Sequence, residues 1–221
     1  MKQVKILSKK NATHDVVQIK TEKPQNFSFS PGQAVDVSLN KPEWKEEIRP
    51  FTFTSLPKDD YLEFHIKIYP EHHGVTEQIG KLSENDSLSL GDVFGAIKYQ
   101  GEGVFIAGGA GVTPFISILR DLEKQDKMGN NKLIFANKTA HDIIEKDLFH
   151  QLLGDNFVNV LSDEQKEGYE HGHITKELIK AQIQNENSLF YLCGPPPMMD
   201  AVIKQLKELG IDQSKIVQEE F

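Results

Sequence analysis

The sequence contains few of the features that cross-link a chain or anchor it in a membrane. A single cysteine, Cys193, stands among its 221 residues, so an internal disulfide framework is excluded and a reducing compartment is expected. The longest nearly apolar run, residues 103–112, is far shorter than the roughly 20 residues of a membrane helix. Residues 1–10 hold no apolar stretch long enough for a signal peptide. We therefore expect a cytoplasmic protein without a membrane span.

Positive charge is outnumbered as well. The 25 Lys and Arg residues stand against 33 Asp and Glu residues, and the formal charge of −8 argues against a nucleic-acid partner. The neighbours His72 and His73, and the pair His171 and His173, lack the cysteine or carboxylate ligands of a closed metal site. Without a cysteine cluster, the chain is also not expected to carry an iron–sulfur centre. No metal is therefore predicted.

Residues 1–99 show the alternation of apolar and polar side chains that is typical of half-buried strands with one wet face. The clearest alternating sets are Val35, Val37 and Leu39, followed by Leu62, Phe64, Ile66 and Ile68. Turn residues interrupt the strands at 31–32, 57–60 and 91–92. The pattern contains one short helical candidate, residues 75–82. It predicts an antiparallel barrel.

After residue 101 the pattern changes to short unbroken apolar runs, which are typical of strands buried on both faces. These runs lie at 104–107, 133–136 and 189–192. Between them, apolar residues fall at helical spacing, as in 115–122 and 199–206. Alternating strands and helices predict an α/β layer architecture. We therefore divide the chain into two domains, residues 1–100 and residues 101–221.

A glycine-rich turn follows the first apolar run. Gly109 and Gly111 let a phosphate approach the backbone, and the helix start beyond them offers free N–H groups. Thr113 is predicted to cap this helix, and Pro114 suits its first turn. The turn departs from the dinucleotide fingerprint, because a proline stands at the third glycine and the next strand ends in Asn137, not in an acid. A glycine turn without a ligand is the alternative.

A second loop, residues 193–198, has the sequence Cys-Gly-Pro-Pro-Pro-Met and follows the strand at 189–192. In open α/β sheets, ligands collect outside the carboxyl ends of the strands. Both loops belong to that edge, so they can face one pocket. A lone cysteine is more often a small buried hydrophobe, but its position beside a rigid Gly-Pro loop favours a site role for Cys193.

In the first half, the predicted strand at 49–55 has the sequence Arg-Pro-Phe-Thr-Phe-Thr-Ser. An arginine beside hydroxyl groups could hold an anion at one end of the strand and a polar ring at the other. The alternative is an ordinary strand whose arginine stem lies along the surface.

Together these segments resemble the ferredoxin–NADP reductase superfamily of flavin reductases, over nearly the whole chain and in the expected order. The resemblance implies an antiparallel six-stranded Greek-key flavin-binding barrel followed by a Rossmann-like parallel-sheet nucleotide-binding domain. Residues 49–55 are similar to the family's flavin motif. By this resemblance Arg49 contacts the flavin pyrophosphate and Phe51 lies against the isoalloxazine or the ribityl chain. The Thr52 hydroxyl would bond flavin N5, with Ser55 closing the motif.

Other segments also match this family. Residues 65–79 resemble its second flavin segment, in which Gly74, Val75 and Thr76 give donors to the pyrophosphate. Residues 29–33 match a structural signature of the barrel, and the two loops of the second half match the nicotinamide-side motifs. The final residues resemble a Glu-x-aromatic ending that places a ring over the flavin and a carboxylate near the thiol. Core packing at a chain end is the alternative for the last side chain.

The resemblance thus implies a complete set of site residues. Those in catalytic positions are Thr52, Cys193, Glu219 and Phe221. Those in cofactor-binding positions are Arg49, Pro50, Phe51, Thr52, Ser55, His65, Ile66, Lys67, Ile68, Gly74, Val75, Thr76, Gly109, Gly111, Thr113, Pro114, Asn137, Lys138, Asp142, Cys193, Gly194, Pro195, Met198 and Phe221.

The implied cofactors are FAD, with FMN less favoured, and NADH or NADPH as the electron donor. A 2′-phosphate needs Arg or Lys beyond the second strand of the nucleotide domain. The sequence there offers Lys138 but no arginine, and it includes an acid, Asp142. It is similar to the Asn-Gln-Thr-x-x-Asp stretch of NADH-preferring cytochrome b5-type reductases, which favours NADH. Thr139 and Asp142 could equally form a capping box.

The resemblance implies a flavin-dependent oxidoreductase. Hydride would pass from NAD(P)H to bound FAD, and electrons would then go to a protein acceptor such as flavodoxin, ferredoxin or a haem protein. A non-catalytic flavin-binding sensor or regulatory subunit is the alternative, although it needs neither the Cys-Gly-Pro loop nor the Glu-x-Phe terminus. A nucleotide-binding module without flavin is a third hypothesis, which residues 49–55 disfavour.

Overall fold

A computed structural model describes residues 1–219 of the chain. Two six-stranded sheets follow one another along the sequence, the first antiparallel and the second parallel. This confirms the predicted fold class. Within residues 1–219, no helix combines the length and the apolar character that crossing a membrane requires.

The antiparallel sheet has the strand order β4-β3-β6-β1-β2-β5, and one short helix lies between its last two strands in sequence. The elements are β1 (Lys2–Asn11), β2 (Val16–Glu22), β3 (Ala34–Leu39), β4 (Arg49–Thr52), β5 (Tyr61–Lys67), α1 (Val75–Gly80) and β6 (Ser87–Phe94). The backbone N–H of Thr54, just after β4, donates to the carbonyl of Glu63 on β5 at 2.8 Å. The two edge strands of the sheet are thereby brought together around an apolar core, in which Phe53 stacks on Phe29.

Strand β5 differs from the predicted half-wet strand. Leu62, Phe64 and Ile66 enter the core as the alternation predicts. On the opposite face, however, Glu63 is 2 % exposed and His65 is 4 % exposed. This face is buried because the second half of the chain covers it. Period-two alternation shows only that a face is polar, and it cannot distinguish a face exposed to water from one buried in a polar interface.

The parallel sheet has the order β10-β9-β8-β7-β11-β12, with helices on both faces. Its elements are β7 (Gly103–Gly108), α2 (Thr113–Lys124), β8 (Lys132–Asn137), α3 (Lys146–Leu153), β9 (Phe157–Leu161), β10 (Glu170–His171), α4 (Lys176–Gln182), β11 (Leu189–Cys193), α5 (Pro196–Glu208) and β12 (Ile216–Val217). Phe105 and Tyr191 pack in the core on one face, whereas Ile106 and Phe190 pack on the other. The unbroken apolar runs are thereby explained.

The start of α2 corrects one prediction. Thr113 is the first residue of the helix, and the cap position belongs to Val112. A 3₁₀ turn, Gly109–Val112, precedes the helix, and the Thr113 hydroxyl donates backward to the carbonyl of Ala110 at 3.0 Å. The glycines allow this extra turn, which shifts the helix start by one residue.

A polar network joins the two sheets. His65 Nε2 lies 2.8 Å from Glu145 Oε1, at the start of α3, and Gln18 donates to the same carboxylate at 3.3 Å. Arg120 of α2 donates to Glu63 Oε1 at 3.1 Å. Because a carboxylate only accepts, the hydrogen on the His65–Glu145 contact belongs to the imidazole. This bond is the main reason why the pKa of Glu145 lies below its ordinary value.

Glu145→Ala is expected to destabilise the protein by about 1–3 kcal/mol near neutral pH, since it leaves the buried His65 without its acceptor. The wild-type contribution is present above the ordinary glutamate pKa of about 4.3 and is lost as pH falls through the lowered pKa of the folded state. The difference between the two proteins should therefore shrink in acid. Urea unfolding near neutral pH and in acid measures it, with Glu84→Ala as an exposed control. An equal effect of both substitutions would contradict the bridging role.

Candidate functional site

The two loops that the sequence singles out are in direct contact at the carboxyl edge of the parallel sheet. Strands β7 and β11 are neighbours, and Ala107 is in register with Cys193. A Cβ atom on Gly111 would overlap the backbone carbonyl of Cys193. A Cβ on Gly108 would likewise overlap Met198 and Pro195. Gly108 and Gly111 are therefore required for the two loops to pack together. Gly109 differs, because open space lies where its Cβ atom would stand.

A cavity of about 260 Å³ opens beside these loops. It is bordered by seven residues predicted from sequence, namely Lys67, Gly109, Asn137, Lys138, Asp142, Pro195 and Met198. Tyr69, Ser162 and His173 also border it, and they were not predicted as site residues. The His171-x-His173 spacing had drawn attention only as a metal pair. What brings His173 to the cavity is its position in the loop that follows β9 and β10.

Asn137 is the clearest sign that this cavity takes a ligand. The residue is 9 % exposed, and within residues 1–219 neither its side-chain oxygen nor its side-chain nitrogen has a hydrogen-bond partner. Buried amides are almost always paired. An amide that is sealed from water but faces a cavity can be satisfied by a ligand with hydroxyl or phosphate oxygens.

Asp142 borders the same cavity, but its carboxylate is engaged. Both the backbone N–H and the hydroxyl of Thr139 donate to Asp142 Oδ2 at 2.7 Å, which is the capping box considered from the sequence. His14 Nε2 lies 3.7 Å from the other oxygen. His14, Asp15 and Asp142 bring their ligand atoms within 4.8 Å of one another. Asp15, however, is paired with Lys67 at 2.7 Å, so these groups form a compensated polar cluster.

Cys193 and Glu219 are brought together beside the antiparallel sheet. Burial raises the pKa of the Cys193 thiol to about 12, and the charge of Glu219 adds to this effect. The thiol is therefore neutral near pH 7 and unsuited to act as a nucleophile. Burial also raises the pKa of Glu219, against the lowering effect of a hydrogen bond from the Ala96 backbone N–H.

Strand pairing relates Thr52 to this part of the structure. Ala34 pairs with Thr52 on one side and with Phe94 on the other. The next residue, Gly95, faces Glu219, because a Cβ at Gly95 would lie 3.1 Å from the carboxylate. Glu219 thus lies between Gly95, just after β6, and Cys193, at the carboxyl end of β11, whereas Thr52 on β4 is separated from β6 by β3. Phe221 lies outside the described residues.

The remaining flavin-motif residues divide into two groups. Arg49, Pro50, Phe51 and Thr52 form the edge strand β4, and Phe51 packs against the barrel core. Arg49 is exposed and pairs with Glu47 at 3.2 Å. Ser55 is fully buried, and its hydroxyl accepts a hydrogen bond from the Glu63 backbone N–H at 3.0 Å.

The second flavin segment is similarly divided. His65 belongs to the network between the sheets, and Ile66 lies in the barrel core. Ile68 and Val75 pack against that core, and Gly74 caps α1. Thr76 is half-buried in the first turn of α1. On the nucleotide side, Thr113 and Pro114 are buried at the start of α2, and Gly194 packs against Met198.

The chemistry of these places fits a flavin and a dinucleotide. Among the described residues, β4 is the end strand of its sheet, and it carries the exposed Arg49 and the half-buried Thr52. Arg49 donates to the carbonyl of Ile48 and forms an exposed ion pair with Glu47, and such a pair is weak enough to be exchanged for a phosphate. The unpaired amide of Asn137 and the open space above Gly109 supply a matching place for a sugar and a pyrophosphate.

Gly111→Ala is expected to lower stability by about 1–3 kcal/mol, because its new methyl group must push the two loops apart. Gly109→Ala is the matched control, since the methyl meets no atom within 4 Å and only the positive φ of 51° is strained. That strain costs of order 1 kcal/mol. Thermal unfolding of both variants compares the cost of the close contact at position 111 with the cost of the backbone strain at position 109. A larger loss for Gly109→Ala would disprove the close packing of the loops.

Comparison with known proteins gives two family matches. The FAD-binding domain model matches residues 1–132, and the oxidoreductase NAD-binding domain model matches residues 105–204. Among solved structures, the flavohaem-like FAD/NAD-binding domain of nitric oxide dioxygenase from Vibrio cholerae O1 biovar El Tor is similar, with a TM-score of 0.86 and 22 % identity, covering 99 % of this chain and 98 % of that one. A ferredoxin NADP+ reductase from Neisseria gonorrhoeae with bound FAD and NADP has a TM-score of 0.81 and 21 % identity, with coverages of 99 % and 97 %.

Curated relatives are also reductases by name. The reductase component of the naphthalene 1,2-dioxygenase system of Pseudomonas putida is 27 % identical over 98 % of this chain and 67 % of its own length. The reductase component of propane 2-monooxygenase from Mycolicibacterium goodii is 28 % identical over 98 % of this chain and 66 % of its own length. The chain thus spans about two thirds of these relatives. With family models spanning residues 1–204 between them, the chain belongs to the ferredoxin–NADP reductase superfamily, as an FAD-binding domain followed by an oxidoreductase NAD-binding domain.

Proposed function

We propose that this protein is an NAD(P)H-dependent flavoprotein reductase that passes electrons from NADH or NADPH, through bound FAD, to a protein acceptor. The observation that carries the proposal is the position of Glu219, which lies beside Gly95, just after β6, and beside Cys193, at the end of β11, where the two sheets meet. Each sheet contributes residues that fit one coenzyme, so the reacting rings of both can lie at one seam.

Residues 1–100 form the flavin-binding domain in this proposal. Arg49 binds the pyrophosphate and Thr52 orients the flavin ring, with Phe51 beside it. The exposed guanidinium and the position of β4 as the end strand of its sheet, among the described residues, support this assignment. Ser55 and His65 act by supporting β5 instead of touching the cofactor, since both are committed to internal hydrogen bonds.

Residues 101–221 form the NAD(P)-binding domain. The turn at Gly109 accepts the pyrophosphate, and Asn137 accepts a ribose. Pro195 and Met198 form the wall on the side of the second loop. Closely packed glycines hold this wall rigid, and a rigid wall reduces the entropy lost when the coenzyme binds.

Bound FAD would supply the redox chemistry, by accepting the hydride of the nicotinamide and releasing electrons singly. The chain supplies position and electrostatics. Cys193 contributes a neutral thiol that packs beside the nicotinamide without adding charge. Glu219, with its raised pKa, can hold or move a proton at its carboxyl oxygen.

The acceptor is proposed to be a redox protein such as flavodoxin, ferredoxin or a haem protein. Relatives named as reductase components of oxygenase systems support this class. We also propose a cytoplasmic location, which suits the free thiol of Cys193. Cell fractionation tests the location, and recovery in an oxidising compartment would contradict it.

The purified protein is expected to be yellow and to bleach when NADH or NADPH is added without oxygen. Absorbance spectra before and after the addition test the function directly. A yellow protein that keeps its colour would be a flavin-binding sensor, and a colourless protein that rejects added FAD would be a nucleotide-binding module. Either result would overturn the proposed reductase activity.

Arg49→Ala is expected to lose FAD during purification, because a charge-assisted hydrogen bond to the pyrophosphate contributes about 1.5–3 kcal/mol. The ratio of flavin absorbance to protein absorbance measures the loss. Lys45→Ala, which removes an exposed positive charge from the preceding segment, is the matched control. A fully yellow Arg49→Ala protein would remove Arg49 from the pyrophosphate site.

A further inference from the structure

A lysine and a histidine, both exposed, border the nucleotide cavity at its outer rim. Lys138 follows β8 directly, and His173 follows β10 after Gly172. The backbone brings them together, because the Gly172 N–H donates to the Leu161 carbonyl at 2.8 Å, and Leu161 is in register with Asn137. The Asp163 N–H donates to the Lys138 carbonyl at 2.9 Å. Lys138 and His173 therefore flank the buried amide of Asn137.

The other charged groups of the cavity compensate one another. Lys67 is paired with Asp15. Asp142 receives two hydrogen bonds from Thr139, and it also lies near His14. Over residues 1–219, by contrast, neither Lys138 nor His173 is within ion-pair distance of a carboxylate. In the part of the chain that the structure describes, the rim thus offers the ammonium group of Lys138 and the imidazole of His173 without an acid paired to either.

This arrangement bears on the choice of coenzyme. A nucleotide site that selects NADH presents a free carboxylate to the ribose hydroxyls, and that carboxylate also repels a 2′-phosphate. Asp142 is the acid that favoured NADH from the sequence, but its oxygens are turned to Thr139 and His14. A lysine and an imidazole beside an unpaired amide suit a phosphorylated ribose instead, since both can donate to phosphate oxygens.

We propose that Lys138 and His173 form a subsite for the 2′-phosphate of NADPH, with Asn137 holding the ribose. This inference rests on the proposed reductase function and names its coenzyme. It makes NADPH the preferred donor, against the expectation from sequence. Lys138 and His173 are specificity-determining residues in this proposal, since they act on the phosphate that distinguishes NADPH from NADH.

Calorimetric binding of 2′,5′-ADP and 5′-AMP tests the subsite without turnover. These probes differ only in the 2′-phosphate. The wild type should bind 2′,5′-ADP at least about tenfold more tightly, as expected for one or more charge-assisted bonds. Lys138→Ala and His173→Ala should each reduce this ratio, and the double variant should bring it near one, while the affinity for 5′-AMP stays unchanged. Lys204→Ala, on the exposed face of α5, is the control and should keep the wild-type ratio.

Steady-state kinetics with NADPH and NADH provide a second test of the subsite. The ratio of kcat/KM for NADPH to that for NADH should fall at least about tenfold in Lys138→Glu, because the new carboxylate repels the 2′-phosphate. Equal binding of the two probes by the wild type, or variants that lose both probes together, would overturn the subsite while leaving NADH-dependent bleaching intact. Failure of both coenzymes to bleach the flavin would instead reject the proposed function.

Discussion

The burial of the polar face of β5 against the parallel sheet is the constraint on which the site depends. Glu63 carries a charge at 2 % exposure, so it must be paired to be tolerated. Arg120 and Thr54 donate to it from two directions, and Lys20 lies 3.7 Å away. An interface made of directional bonds admits far fewer arrangements than an apolar one. The relative position of the two sheets is therefore fixed by geometry, and with it the seam between Gly95 and Cys193.

That seam has an electrostatic consequence. Cys193 and Glu219 both have raised pKa values, and burial is the main cause for each. Burial disfavours the charged form of both groups, so little negative charge is expected at this place near neutral pH. In the proposed function, the two coenzyme rings would react here, and a site that excludes water would also exclude competing reactions.

Much of the fold could be predicted from the sequence, because its patterns report burial directly. The alternating sets around Val35 and Leu62 gave the antiparallel sheet, and the continuous runs gave the parallel one. The loops at Gly109 and Cys193 were predicted to face one pocket because both lie at the carboxyl ends of strands in the parallel sheet. Glycine spacing could not reveal the extra 3₁₀ turn before Thr113.

The hydrogen-bond partners of the site residues could not be predicted in the same way. His65 was assigned to the cofactor because it lies in a family segment, but its side chain turns toward Glu145, which is 80 positions away in sequence. Asp142 favoured NADH because it is an acid in this stretch, and the capping box with Thr139, which was the alternative, determines where its oxygens point. His173 was overlooked because its relation to Asn137 depends on the pairing of β8 with β9. Contacts between distant residues leave no local pattern in sequence.

Asn137 shows how such contacts determine recognition. Leaving a buried amide unpaired costs about 1–3 kcal/mol, and a stable fold rarely accepts that cost without a compensating partner. Asn137 ends β8 and is in register with Leu161 of β9, whereas the pairing of β8 with β7 ends one residue earlier, at Ala136. In the proposed function, a bound ribose would supply the missing hydrogen bonds of this amide. The exposed Lys138 and His173 beside it would then distinguish a coenzyme that carries a 2′-phosphate from one that does not.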